Sequence, residues 1–265
     1  MARLEAVILD LDDTLMPEMA VEEETYHAVA AQAARRGADP GRFVEALKER
    51  AQELWRAFEP AEFCRLIGMG WFEGLRSSFA AADAPAEYEE RIKPLRQWAP
   101  EYRRLAWSSA LAEAGVRDER LAGELGRLYA VERERRHRLF EETVPVLLGL
   151  KKRFRLGLLT NGAIDIQRAK IAGGAVAPFF DAIVITGELC VGKPDPRPFH
   201  TALSRLGVEP GRAAMVGNSL TRDVETAHRL GMAAVWVAHD MPAHSHAAPI
   251  RIIRRLAQLP AALDR

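Results

Sequence analysis

The sequence predicts an α/β protein, a parallel sheet with helices on both faces interrupted by an all-helical insertion. Three observations predict it. Short apolar runs ended by polar residues read as strands buried on both faces: Ala6-Val7-Ile8-Leu9, then Leu156 to Leu159, Ala182 to Ile185, Ala213 to Val216 and Ala233 to Val237. Helical patterns at Ile164 to Ile171, Pro196 to Leu206 and Thr221 to Leu230 alternate with the later runs, as right-handed βαβ crossovers require. From about residue 17 to about 142 strand signals are absent, and long helical stretches stand at Val21 to Arg36, Pro40 to Phe58, Pro100 to Ala114 and Asp118 to Arg138.

The first strand ends directly on Asp10. Within the insertion, Asp39 before Pro40 makes an N-cap with proline at the first helical position, and Gly115 after Ala114 makes a helix stop. The first strand must therefore pair with strands far later in the chain. The expected division is a core of residues 1–16 and 143–265 and a helical body of residues 17–142, joined near Met16 to Met19 and Glu141 to Val144. From Asp240 onward, Pro242, His244, His246 and Pro249 read as a surface loop before a short final helix, Arg251 to Leu259. The two histidines have no third ligand nearby and read as loop residues.

With 265 residues, 48% hydrophobic and 28% charged, the chain can bury a sizeable core, which excludes disorder and collagen-like order. Lys+Arg and Asp+Glu balance at 37 each, so no overall field points to nucleic acid or an anionic membrane as partner. A compact anionic substrate needs only local positive charge. Cys64 and Cys190 stand far apart without a paired framework and read as reduced, buried thiols. The N-terminal apolar run is too short for a signal sequence or a membrane span, so a cytoplasmic protein is expected, a monomer or homodimer. Most basic residues are arginine, and asparagine occurs only at Asn161 and Asn218, so the sites that keep Lys and Asn need explaining.

Ligands of an open parallel sheet bind outside the carboxyl ends of its strands. Four polar sets stand there: Asp10-Leu11-Asp12-Asp13-Thr14, Thr160-Asn161-Gly162, Gly192-Lys193-Pro194, and Gly217-Asn218-Ser219-Leu220-Thr221-Arg222-Asp223. A carboxylate ending a rigid strand can attack phosphorus in line, and splitting the reaction through an aspartyl-phosphate makes two easier steps of one hard one. A second carboxylate, Asp12, two residues on, can protonate the leaving oxygen and then deprotonate water. Two carboxylates facing a phosphate dianion repel it, so a cation is required, and an all-oxygen site suits Mg²⁺. Lys193 supplies a compact positive charge, while Thr160, Asn161 and Gly162 offer donors at a strand end for the transferred phosphoryl oxygens.

D-x-D-x-T, T-N-G, K-P and G-N-S-x-x-x-D in this order resemble the four motifs of the haloacid dehalogenase-like (HAD) superfamily, across the whole α/β half. The insertion between the first two motifs resembles the C1 cap of that family. The resemblance implies a Rossmann-like core and a magnesium-dependent phosphatase acting on a small phosphomonoester of the nucleotide or sugar phosphate class. It implies Asp10, Asp12, Thr160 and Lys193 as catalytic residues, Thr14, Asn161 and Gly162 as substrate-binding residues, and metal ligation by Asp10, the backbone carbonyl of Asp12, Asn218 and Asp223.

Asn218 stands where the commonest pattern has Asp, which keeps an oxygen ligand but loses a charge and predicts weaker metal binding or a larger share for Asp223. In the insertion, Trp55, Trp71, Phe72, Trp98 and Trp107 read mainly as packing residues. The stretch Ile67-Gly68-Met69-Gly70-Trp71-Phe72 is the candidate specificity loop, and Arg65 and Arg76 flanking it read mainly as solvated helix-face residues. Two rivals remain. A haloacid dehalogenase is disfavoured because Asp12 and Asp13 would repel a carboxylate substrate, and a weakly catalytic phosphate-binding module is favoured only by Asn218. A phosphomutase needs the same residues as the phosphatase.

Overall fold

A computed structural model describes residues 3–241 and 250–264. The chain runs β1 (Ala6–Leu9), α1 (Glu18–Ala34), α2 (Pro40–Ala57), α3 (Ala61–Ile67), α4 (Trp71–Gly74), α5 (Ala86–Glu113), α6 (Glu119–Arg135) and α7 (Thr143–Lys151). It continues β2 (Arg155–Thr160), α8 (Ile164–Gly173), β3 (Ala182–Ile185), α9 (Pro196–Leu206), β4 (Ala213–Gly217), α10 (Glu225–Arg229), β5 (Ala233–Val237), β6 (Arg251–Ile253) and α11 (Leu259–Leu263). It divides into two compact units. One comprises Met1–Glu18, Arg138–Asn161 and Lys170–Arg265, the other Met19–His137 and Gly162–Ala169.

The first unit is a parallel sheet in the order β3-β2-β1-β4-β5-β6. Strand β1 is wholly apolar and buried because both of its faces are covered. Val7 and Leu9 pack with Val146, Leu147 and Leu150 of α7 and with Leu259 and Leu263 of α11. Ala6 and Ile8 face the opposite way, toward Phe199, Leu203 and Leu206 of α9 and Ala227 of α10. Leu9 pairs with Leu158 on one side and Val216 on the other. The sheet therefore grows in both directions from β1, the arrangement in which ligands of open parallel sheets bind beyond the carboxyl ends of the strands. At the far side of the loop after β1, Leu15 O accepts from Phe140 N at 3.0 Å and from Thr143 Oγ1 at 2.8 Å. One carbonyl thus joins the stretch that leaves this unit to the stretch that returns.

Two expectations fail here. Arg251 to Ile253 does not begin a final helix but forms β6, parallel to β5 with Val237 opposite Ile253. The β-branched pair Ile252-Ile253 fits a pleated edge, and Ile253 is buried in the core. The expected helix Thr221 to Leu230 opens instead with a π-type turn, Leu220–Val224, capped by Ser219 Oγ accepting from Arg222 N at 3.3 Å. Pro242, His244, His246 and Pro249 lie outside the described residues.

The second unit is helical. Asp39 Oδ1 accepts from Arg42 N at 2.7 Å and Pro40 opens α2, while Gly115 follows α5 with φ 97°. Helix α5 does not start at Pro100. It starts at Ala86 and carries Pro94 and Pro100 inside. Each internal proline removes a backbone donor, but Tyr88, Ile92, Leu95, Ala99, Tyr102 and Ala106 form an unbroken buried stripe through both, and that burial overrides the local stop signal. Aromatic rings fill the interior. Trp107 lies 5.4 Å from Tyr129 and 6.0 Å from Phe43, and Trp55 lies 5.6 Å from Tyr102. Trp98 stacks on Phe58 at 4.0 Å. Trp71 stacks on Tyr26 at 6.5 Å and meets Phe72 edge-on at 5.8 Å, so the Ile67 to Phe72 stretch is a junction between α3 and α4. Among these rings Glu22 accepts from Tyr129 Oη and, at 3.0 Å, from Arg133 Nε, and all three residues are buried.

The segment Gly162–Ala169 belongs with these helices through specific bonds. Asp165 accepts from Ser77 Oγ at 2.9 Å and from Ser78 N at 2.7 Å, Arg168 pairs with Asp83, and Tyr88 Oη accepts from Ile164 N at 3.3 Å.

Candidate active site

Asp10 extends β1 by one residue, its N–H donating to Val216 O at 2.9 Å. Its two carboxylate oxygens have separate partners: Oδ1 accepts from Lys193 Nζ at 2.7 Å and Oδ2 from Thr14 Oγ1 at 3.1 Å. Lys193 Nζ also donates to Leu159 O at 2.9 Å and lies 2.7 Å from Asp223 Oδ1. One ammonium therefore ties together the end of β1, the end of β2 and the segment after β4. The loop that carries Lys193 is held by Asn161, whose side chain accepts from Lys193 N at 2.8 Å and donates to Lys193 O at 3.0 Å.

The electrostatics follow from burial. Burial alone would push the Lys193 ammonium toward neutrality, but the Asp10 and Asp223 carboxylates hold its pKa above the ordinary value. The Asp223 carboxyl is raised to about 6, first by burial and then by Asp10, against the attraction of Lys193. Two carboxylates and one ammonium leave one negative charge without a counter-charge among the three. Asp223 is aimed by Ser219 N donating to its Oδ2 at 3.0 Å, and a Cβ at position 217 would sit 2.3 Å from that same oxygen, so Gly217 is required there.

The loop after Asp10 is tight. Leu11 O accepts from Leu15 N at 2.9 Å and Asp13 N donates to Met16 O at 2.8 Å. Asp13 takes a left-handed conformation, φ 54°, and its carbonyl meets a ring nitrogen of His239 at 2.7 Å. Asp12 Oδ2 accepts from Lys170 Nζ at 2.9 Å, and the same ammonium lies 3.0 Å from Glu18 Oε1. Lys170 and Glu18 are both buried. Sequence reasoning missed Lys170, Glu18 and His239, although scarcity of lysine, the signal that marked Lys193, applies equally to Lys170.

The α/β unit thus brings Asp10, Thr14, Asn161, Lys193 and Asp223 into one bonded network. Asn218 joins it through its backbone, with N donating to Thr14 Oγ1 at 3.0 Å and O accepting from Trp236 Nε1 at 2.9 Å. Thr160 is the buried last residue of β2. Gly162 lies in the helical unit with φ 140°, where a Cβ would meet Gln167 at 2.5 Å.

Two of the expected substrate-binding side chains already have partners. Thr14 is fully buried and spends its one proton on Asp10, so it braces that carboxylate. The Asn161 side chain holds Lys193 through one donated and one accepted bond, which fixes its orientation. No group of three or more His, Cys, Asp or Glu side chains that could hold a metal occurs among the described residues. The expected donors are of another make-up: two carboxylates, one side-chain amide and one peptide carbonyl, all oxygen. Cys64 and Cys190 are both buried, and burial pushes the Cys64 thiol far up. No described helix is long and apolar enough to cross a membrane.

Comparison with known proteins agrees with this geometry. The family model described as haloacid dehalogenase-like hydrolase matches residues 4–231. Phosphoserine phosphatase of Thermus thermophilus is 35% identical over 248 residues, covering 93% of this chain and 94% of that protein. Human N-acylneuraminate-9-phosphatase is 33% identical over 181 residues, covering 66% of this chain and 73% of that protein. Among solved structures, a 2-haloacid dehalogenase from Pseudomonas syringae matches with TM-score 0.59 and 27% identity over 99% of both chains. The magnesium-bound HAD-hydrolase YfnB of Bacillus subtilis matches over the full length of both chains with TM-score 0.65 and 21% identity, a likeness of fold alone. A strand-end carboxylate bonded to a buried lysine, the order of the strands and a family match along most of the length lead to one conclusion: the chain belongs to the haloacid dehalogenase-like hydrolases, as an enzyme of the phosphatase type.

Proposed function

We propose that this protein hydrolyses a small phosphorylated metabolite, of the nucleotide or sugar phosphate class, through an aspartyl-phosphate on Asp10 and with a bound Mg²⁺. The observation that carries the reading is the Asp10–Lys193–Asp223 trio at the carboxyl ends of the strands. It presents a fixed carboxylate beside a fixed ammonium, with one negative charge left over. An uncompensated buried charge is costly and favours a further cation. The residues present fit a divalent ion: Asp10, the Asp12 carbonyl and the Asn218 amide oxygen are hard donors. Asp223 adds a second carboxylate to that set, its oxygens lying against Lys193 Nζ and Ser219 N. When bound, the ion would offset phosphate charge and act as a Lewis acid.

In this reading Asp10 is aimed at phosphorus by Thr14 and Lys193, and Lys193 also faces the transferred phosphoryl oxygens. The Asp10 Oδ–P bond forms as the bond from phosphorus to the leaving oxygen breaks, and Asp12 gives that oxygen its proton. Water then loses a proton to Asp12 and attacks phosphorus, the Asp10 Oδ–P bond breaks, and inorganic phosphate leaves. The helical unit, residues 17–142 in the sequence division, would act as a cap that admits substrate and sets its choice.

The relatives named phosphoserine phosphatase and N-acylneuraminate-9-phosphatase support the phosphatase reading over the dehalogenase one. The test is a panel of phosphomonoesters with and without Mg²⁺, repeated on Asp10→Asn. Turnover should require Mg²⁺ and fall about 10⁴-fold or more in the variant, and acid-quenched wild-type enzyme should carry phosphate on Asp10. Full activity in Asp10→Asn, or halide release from a 2-haloacid, would overturn the proposal.

A further inference from the structure

Lys170 is the one described lysine besides Lys193 that is buried. It sits on α8, and its ammonium bonds a carboxylate 158 residues away in the chain, Asp12 Oδ2 at 2.9 Å, while lying 3.0 Å from Glu18 Oε1. A buried ammonium has to be paired to remain charged. Here the pairing falls on Asp12, whose own side chain is 27% exposed and therefore accessible, whereas Glu18 is 2% exposed. Glu18 balances the buried cation and Asp12 is tethered by it.

A carboxylate held by one oxygen in a charge-assisted bond loses its rotational freedom about χ1 and χ2, so the direction of its second oxygen is fixed. That matters for a proton donor, because transfer needs a heavy-atom approach of about 2.6–3.2 Å, and a misplacement of about 1 Å can cost about 10²-fold. The loop bonds from Leu11, Asp13 and Met16 fix the Asp12 backbone but leave its side chain to be aimed. We infer that Lys170 is the positioning residue that aims Asp12 at the leaving oxygen and later at the attacking water. This rests on the phosphatase reading above and adds to it a group outside the four motif loops.

The two chemical steps separate this role from a structural one. An alkyl phosphate needs its leaving oxygen protonated, whereas p-nitrophenolate departs as the anion. Breakdown of the aspartyl-phosphate needs a base with either ester. In Lys170→Met/Glu18→Gln, which removes both charges together, kcat/KM for an alkyl phosphate should fall about 100-fold. With p-nitrophenyl phosphate, kcat/KM should change less than about 3-fold. Slow breakdown should then appear as a burst of p-nitrophenolate approaching one per active site. Lys170→Gln, which keeps a donor toward Asp12, should recover part of the alkyl-ester rate. An equal fall on both esters without a burst, or no fall on either, would overturn the inference. The thermal midpoint of each variant identifies a fall caused by unfolding, and in that case Lys170→Gln carries the same two-ester comparison. If the wild type turned over neither ester, the phosphatase reading itself would be lost, which is a different outcome from a wild type active on both.

Discussion

Both units bury charge, but they do so differently. In the helical unit, Glu22 is enclosed by aromatic rings and faces two guanidiniums, Arg133 and Arg76. In the α/β unit, Asp10 and Asp223 share one ammonium at the open ends of strands, and the trio keeps a negative charge in excess. Excess negative charge at strand ends invites a cationic ligand, whereas a carboxylate enclosed by rings and guanidiniums holds helices in register. Burial of ionisable groups therefore does not by itself mark a site. Imbalance at a strand end does.

This contrast can be broken most directly at Arg133. Replacing it with Met leaves Glu22 buried with its nearest cation removed, and urea unfolding should show a loss of about 3–5 kcal/mol, with kcat preserved at a temperature where the variant is folded. A variant of full stability that had lost turnover would place the helical network in the chemistry and erase the distinction. A smaller effect should come from Asn218→Asp, which adds a charge to the proposed metal site. The Mg²⁺ concentration for half activity should fall about 10-fold, and an unchanged titration would take Asn218 out of the ligand set. Smallest is a pH effect. Burial raises the Glu22 carboxyl above its ordinary 4.5, against hydrogen bonding by Tyr129 and the charge of Arg133. The folded state therefore holds the proton more tightly than the unfolded chain. Relative to Glu22→Gln, wild-type stability should rise as pH falls through the window between that raised value and 4.5 and be flat below it. Urea midpoints of both proteins across this window measure the difference, and parallel curves would mean that Glu22 is not perturbed.

Much of the sheet could be read directly, because strands covered on both faces appear as unbroken apolar runs, and Ala182–Ile185 and Ala233–Val237 appear at the expected limits. Helix α9 could be read as well, its helical pattern from Pro196 to Leu206 matching the observed limits. The three-residue strand β6 was hidden by the arginines around its two isoleucines, and the start of α5 by prolines that packing overrides. At the site, the sequence indicates which residue types gather but not which of their atoms are already engaged. For that reason the bonds from Thr14 to Asp10 and from Asn161 to Lys193 could not be foreseen. Lys170 escaped notice for a related reason: its partner Asp12 is reached only through the fold.

The single carbonyl of Leu15, receiving Phe140 N and Thr143 Oγ1, makes departure and return of the insert nearly one point in space. Such a junction suits modular exchange, in which one helical body is cut out and another grafted on to alter what the enzyme accepts. A graft that moved Met19–His137 alone would strand the second piece of that body: Ser77 and Ser78 would lose Asp165, and Asp83 would lose Arg168. A viable chimaera has to transplant Gly162–Ala169 as well, so two separate stretches of chain must be exchanged together.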